Sequence, residues 1–309
     1  MSSCGFRFQA MSSVCEVRLE GDDEGVLGEA ASLAIDEVHR IELKYSRYRA
    51  DSIVSLINAA AGSGESVAVD DETASLIDFA AQLHGLSDGL FDITSGVLRK
   101  AWDFRAGRTP TDAELQALLP LMGWSLVAWR DQRIALPRAG MELDFGGFGK
   151  EYAADRAMSV LAAQGQRHGF VNLGGDIRVL GPRADGGAWR FGIQHPRRAD
   201  ATIASVDMVD GALASSGDYE RFFERDGRRY CHILDPRTGW PVSSWSSVSV
   251  TAPACVAAGA LSTIAMLKGE QALEFLSTQR AAFLAVDTSL RTFHHEPADA
   301  RRFVHGDIQ

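Results

Sequence analysis

The stretch CHILDPRTGWPV, Cys231 to Val242, is the part of this 309-residue chain that points most directly to proton transfer. An imidazole titrates near neutral pH and can take a proton from a hydroxyl, provided the backbone fixes its position. His232 stands at the end of an expected strand, three residues before Asp235, with Pro236, Thr238, Gly239 and Pro241 following. Those residues also make a sound turn by themselves, with Asp235 as acceptor. Spacing alone therefore leaves both readings open: a base on a support, or only the support. Of the eight histidines, His232 lies in the richest polar turn. His39 and His84 fall on expected helices, and His195 in QHPR reads as a loop residue. His294, His295 and His305 belong to a polar tail.

Three glycine-containing stretches offer backbone donors. DFGGFGKE, 144–151, is not a P-loop, because Asp144 stands where GxxxxGK[ST] needs glycine and Glu151 where it needs Ser or Thr. The GxGxxG pattern is missing too. What remains is a glycine-rich turn after an expected strand, MELDF, leading through Lys150 into a helix. Amides at a helix N-terminus bind anions, although a tight-packing turn would read the same way. FVNLGGDI sets Asn172, Gly174, Gly175 and Asp176 at the end of an apolar strand, where the chain can approach a ligand or bend a hairpin. ASSGDYERF places Ser215, Ser216 and Gly217 before Tyr219. No GxSxG elbow is present, so these are better read as donors to a ligand than as nucleophiles.

The composition narrows the partners. A formal net charge of -10 argues against nucleic acid, which is held by basic surface, but leaves a nucleotide ligand open. Cys4, Cys15, Cys231 and Cys255 include no CxxC pair, so neither zinc nor a redox pair is indicated, and a reducing compartment is. The first residues hold no apolar core of signal-peptide length. The most apolar later run, 253–267, is too short to cross a bilayer and reads as a buried helix. A cytoplasmic location is expected.

Residues 26–48 carry a helical apolar stripe, as do residues 73–86. TPTDAELQALLPLMGW opens with a capping box, Thr111 to Glu114. SLVAWRDQRIALP reads as a hairpin. The second half is richer in strands: GFVNLG, WRFGIQ, ASVDMV, ALASSG, RYCHIL and SSVSVT. Adjacent strands mixed with helices predict an α+β fold with a mostly antiparallel sheet core and surrounding helices. The chain is expected to form a single domain over 1–309. The one internal division on offer lies near residue 140, where helices give way to strands.

Taken in order, AMSS, YSRYRADSIVSLIN, GLFDITSGVLRKAW, LDFGGFGKEYAAD, VNLGGDI, IQHPR, ASSGDYERF, HILDPRTGWPV and ALSTIAM resemble the ApbE-like FAD:protein FMN transferases, from about Phe6 to Lys268. The resemblance implies an enzyme that cuts FAD with the help of Mg2+. FMN passes to a threonine or serine of an acceptor flavoprotein, and AMP leaves. It assigns Met11 and Tyr48 as flavin contacts. Asp92 and Thr94 match the family's FDxT, near the adenosine end or supporting the cleft. Lys150 fits the diphosphate region. Asn172, Gly174, Gly175 and Asp176 match the NxGGD stretch, and Ser216 and Gly217 the SG stretch beside it. His232 matches the histidine proposed to deprotonate the acceptor hydroxyl.

Two departures fall together. By resemblance the metal takes a backbone carbonyl of the glycine turn, an aspartate, and a threonine four residues further on. Gly149 and Thr263 fit, but the aspartate position is Gly259, and the glycine usual after the lysine is Glu151. The expectation is compensation, with Glu151 supplying the carboxylate that Gly259 lacks. Mg2+ accepts oxygen ligands and keeps several waters. The plain alternative for Glu151 is an acid at a helix first turn. Two other functions remain open: an FAD-binding member that has lost metal-dependent transfer, and an FAD pyrophosphatase.

Overall fold

A computed structural model describes residues 2–296 and 303–305. The N-terminal alternation becomes a hairpin of β1 (Ser2–Ala10) and β2 (Ser13–Gly21), paired throughout. Met11 and Ser12 both take positive φ, 50° and 61°, the geometry of a two-residue turn whose twist matches its strands. Asp23 caps α1 (Glu24–Tyr45) by accepting from the amides of Gly25 and Val26. The stripe of α1 buries Leu27, Ala31, Ala34, Val38, Ile41 and Tyr45. Next come α2 (Ile53–Ala59), β3 (Val67–Ala68), α3 (Asp71–Leu86) and a 3-10 turn over Ile93–Lys100. Beyond them lie α4 (Asp112–Leu118), with the expected capping box, and the hairpin β4 (Ala128–Arg130) and β5 (Arg133–Ala135).

Past residue 140 the order is α5 (Gly149–Ala163), β6 (Gly169–Leu173), β7 (Asp176–Gly181), β8 (Trp189–His195), β9 (Arg198–Met208) and β10 (Gly211–Gly217). The chain continues with β11 (Phe222–Arg225), β12 (Arg228–Cys231), β13 (Trp245–Ala252), α6 (Cys255–Lys268), α7 (Ala272–Thr278), β14 (Ala282–Asp287), β15 (Thr292–His295) and β16 (Phe303–His305). Eight strands form the main sheet in the order β1-β2-β6-β7-β10-β13-β14-β15, antiparallel at every junction. The sheet joins β2 to β6 and so draws on both sides of residue 140.

Both faces of the central strands are covered, and the two-residue period shows it. Phe283 and Ala285 face the core shared with α1, α5 and α6, while Ala282, Leu284 and Val286 face a second core. That second core is roofed by β8 and β9, through Trp189, Phe191, Val206 and Met208. Every residue of β13 is buried for this reason. A third, smaller core around Trp102 braces the β11–β12 hairpin.

The apolar run near residue 260 is α6, buried as expected, and no helix among the described residues is long and apolar enough to cross a membrane. This helix has no cap of its own. Asp155 of α5 serves instead, accepting from Cys255 and Val256 amides at 2.9 Å each.

Several sequence expectations need correction. MELDF is extended but is no strand: Asn58 takes its backbone in both directions, Nδ2 donating to the Leu143 carbonyl and Oδ1 accepting from its amide. The β11–β12 ladder within RYCHIL ends at Cys231, so His232 stands just past β12. His195 belongs to β8 and not to a loop; its buried ring accepts from the Arg197 amide across a tight connection. The polar tail holds strand at Thr292–His295 and Phe303–His305, while 297–302 and 306–309 lie outside the described residues.

Candidate active site

Five elements deliver the predicted residues to one end of the sheet. The glycine turn 145–148 enters α5 without a side-chain cap, leaving first-turn amides open to an anion. From this helix Lys150 reaches Asp176 at 2.8 Å. Burial alone would lower the ammonium's pKa, but the carboxylates of Asp176 and Glu151 outweigh it and hold it above its ordinary value.

Asn172 folds the NxGGD turn by accepting from the Gly175 amide at 2.8 Å. Gly174 takes φ 62°, and a Cβ there would lie 2.7 Å from the Ser13 side chain, so the β1–β2 turn rests against it. On β10, a Cβ at Gly217 would meet the Tyr219 ring at 2.4 Å. Glycine is required here for contact and not for conformation. Ser216 lies on the same strand, with its hydroxyl 2.9 Å from Thr263 of α6.

The turn after His232 answers the question its spacing raised. Asp235 accepts from the Gly239 amide through its carbonyl and from the Arg237 amide through its carboxylate. Trp102 donates to the Gly239 carbonyl at 2.8 Å, and Leu115 packs where a Cβ of Gly239 would stand. The turn is thus anchored to the third core. The His232 amide donates to the Arg221 carbonyl, which fixes the residue from the other side. The residue is exposed to solvent, although the protein is dense around its ring. That crowding lowers its pKa below the usual histidine value, and the cationic Arg221 and Lys150 lower it further. Solvent tempers the shift without reversing it, so the ring is neutral at pH 7, as a base must be.

The departures from the resembling family meet in space. A Cβ at Gly259 would lie 2.5 Å from Glu151 Oε1 and 2.6 Å from its Cγ. Glu151 therefore fills the space a side chain at 259 would take. It is 8% exposed, and its Oε2 has no hydrogen-bond partner. An orphaned buried carboxylate is costly. Its pKa is raised, first by burial and then by the Asp176 carboxylate. A cation would relieve both effects. Thr263, one helical turn after Gly259, brings a hydroxyl to the same face of α6. Gly149 opens α5 two residues before Glu151. No group of three or more His, Cys, Asp and Glu suited to a metal occurs among the described residues, so a cation here would draw on one carboxylate, a hydroxyl and backbone. An all-oxygen set fits Mg2+, which completes its shell with waters.

The remaining predicted residues lie at the margin. Tyr48 is 77% exposed beside Arg47, whose guanidinium pairs with Asp144 just ahead of the glycine turn. Met11 donates its amide to Glu42, and its side chain packs on the core. Asp92 and Thr94 are buried and internally occupied: Asp92 accepts from the Thr94 amide and hydroxyl and from the Trp124 amide, and Thr94 from Gly123. Their hydrogen bonds tie the segment at 92–94 to the segment at 123–124. Sequence reasoning did not single out Ser13, Arg221 or Trp102, which act through contacts no local pattern records. Two open surface depressions lie away from these residues, over α3 and beside Tyr152.

The ApbE family model matches residues 11–285. The chain belongs to the ApbE family. Among its ApbE relatives, the FAD:protein FMN transferase of Vibrio cholerae is 34% identical over 232 residues, 73% of this chain and 69% of that one. That of Treponema pallidum is 32% identical over 301 residues, 87% and 82% of the two chains. An ApbE crystal structure from Thermotoga maritima superposes with TM-score 0.88 at 32% identity, covering 96% of this chain and 97% of that one. The flavin transferase ApbE of Vibrio cholerae gives 0.81 at 26%, covering 98% and 97%. The α+β architecture is therefore the family's.

Proposed function

We propose that this ApbE protein is an FAD:protein FMN transferase that needs Mg2+ and acts on a threonine or serine of an acceptor flavoprotein. The supporting observation is the meeting of a neutral His232, the uncapped start of α5 with Lys150, and the Glu151–Thr263 oxygen donors at one end of the sheet.

The reaction follows from these groups. The first-turn amides of α5 and the Lys150 ammonium hold the diphosphate of FAD, and Asp176 keeps the ammonium in place. The backbone at Gly174 and Gly175 borders the ligand, and Tyr48 and Met11 meet the flavin. His232 removes the proton of the acceptor hydroxyl as its oxygen forms a bond to the FMN phosphorus. The pyrophosphate bond breaks, AMP leaves, and a phosphodiester joins FMN to the protein. Glu151, Thr263 and the Gly149 carbonyl would hold the Mg2+, which would offset charge on the phosphoryl oxygens and the leaving AMP. A single functional unit over 1–309 and a cytoplasmic setting complete the reading, the latter supported by four free thiols.

The test is incubation with FAD and a threonine-bearing acceptor domain, with Mg2+ or with chelator, following AMP and acceptor mass together. AMP with an FMN-sized mass gain, only with Mg2+, is the expected result. AMP and free FMN without a mass gain would indicate a pyrophosphatase. FAD binding with neither product, across several acceptors, would indicate a binding protein.

A further inference from the structure

A threonine hydroxyl can turn either a lone pair or a proton toward a site, and only the lone pair serves a cation. Three hydrogen bonds decide which one Thr263 presents. Ser262 Oγ lies 3.0 Å from the Gly259 carbonyl, which can only accept, so the Ser262 proton is committed there. Ser216 Oγ lies 2.8 Å from Ser262 Oγ and 2.9 Å from Thr263 Oγ1. With the Ser262 proton taken, the first of these bonds requires Ser216 as donor. With the Ser216 proton then taken, the second requires Thr263 as donor. Three protons fill three bonds in one way only.

We propose that Ser216 and Ser262 are positioning residues that hold the Thr263 proton turned into the protein and leave its lone pairs for the metal. The relay runs from Thr263 to Ser216 to Ser262 and ends on the carbonyl of Gly259, the residue against which Glu151 lies. It spans two elements, since Ser216 is on β10 and the others are on α6. Ser262 is fully buried, so it acts through the relay alone. In Ser262→Ala the Ser216 proton loses its acceptor and turns to Thr263, whose own proton is then displaced toward the cation. The inference rests on the metal reading above.

The experiment measures Mn2+ affinity, from the electron paramagnetic signal of the free ion, on the full chain saturated with FAD. Ser262→Ala should weaken Mn2+ binding by about 10- to 100-fold, the usual effect of removing an outer partner of a metal ligand. Alanine suits a helix, so the fold should persist, and an unchanged Tm checks this. Ser216→Ala gives the same readout from the neighbouring strand. The deciding comparison is a cycle with Thr263→Val. If Ser262 works through Thr263, the double variant binds Mn2+ no more weakly than Thr263→Val alone. Wild-type affinity in Ser262→Ala, or losses that simply add, would overturn the relay. If the wild-type chain binds FAD but no Mn2+, the metal reading itself fails, a result distinct from either.

Discussion

At the scale of single residues, His232 and Glu151 carry the sharpest predictions. His232 is a base only when neutral, so transfer should rise with pH through its pKa and then level off. Because that pKa is lowered, the plateau should already hold at pH 7 and the acid limb should lie below about 6.5. The profile is best taken in saturating Mg2+, which keeps Glu151 ionised. His232→Ala should abolish transfer and the acid limb while leaving FAD affinity within about threefold; a parallel loss of FAD binding would show the residue to be a ligand contact. Glu151→Gln should remove most of the Mg2+ response of turnover. Gly259→Asp alone should destabilise the fold, because its Cβ falls on the Glu151 side chain. Gly259→Asp with Glu151→Gly should recover both stability and Mg2+-dependent turnover. A double variant that folds but stays inactive would refute the exchange.

At the scale of elements, the site depends on helix ends and on one turn. The start of α6 relies on Asp155 from α5, so Asp155→Ala should cost about 1–2 kcal/mol, read as a fall of several degrees in Tm. Much of this scale was legible in the sequence. The stripe of α1, the capping box at Thr111 and the buried character of α6 follow from periodicity and capping chemistry. The departures share a physical origin. MELDF has the alternation of a strand, but its backbone is satisfied by Asn58, a residue far away in the chain. The strand β14, not separately expected, is buried at every position and so lacks the alternation that marks an exposed strand. In the site, the types and order of Lys150, Asp176, Ser216 and His232 were readable. The structural occupation of Asp92 and Thr94 and the relay through Ser262 were not, because each depends on which atoms a distant segment brings within 3 Å.

At the scale of the whole molecule, one sheet ties the two halves together. The glycine turn, the NxGGD turn and the SG strand come from the second half, yet β6 leans on β2 from the first. Residues 141–309 alone would leave β6 with an open edge and the core without α1. Expressed separately, this segment should fail to give a cooperative unfolding transition, whereas the full chain should give one. A soluble, cooperatively melting fragment 141–309 would establish a boundary near residue 140.

The close fit of Glu151 against Gly259 also bears on how such chains are sorted. Judged column by column, a glycine in place of the aspartate marks a dead enzyme, and a glutamate after the lysine looks like an unrelated oddity. Sterically the two positions share one space in this chain, so the proposed exchange treats them as a single character. If the double variant recovers turnover, catalogues of inactive paralogues compiled from the aspartate alone discard working catalysts, and a rule scoring the pair retains them.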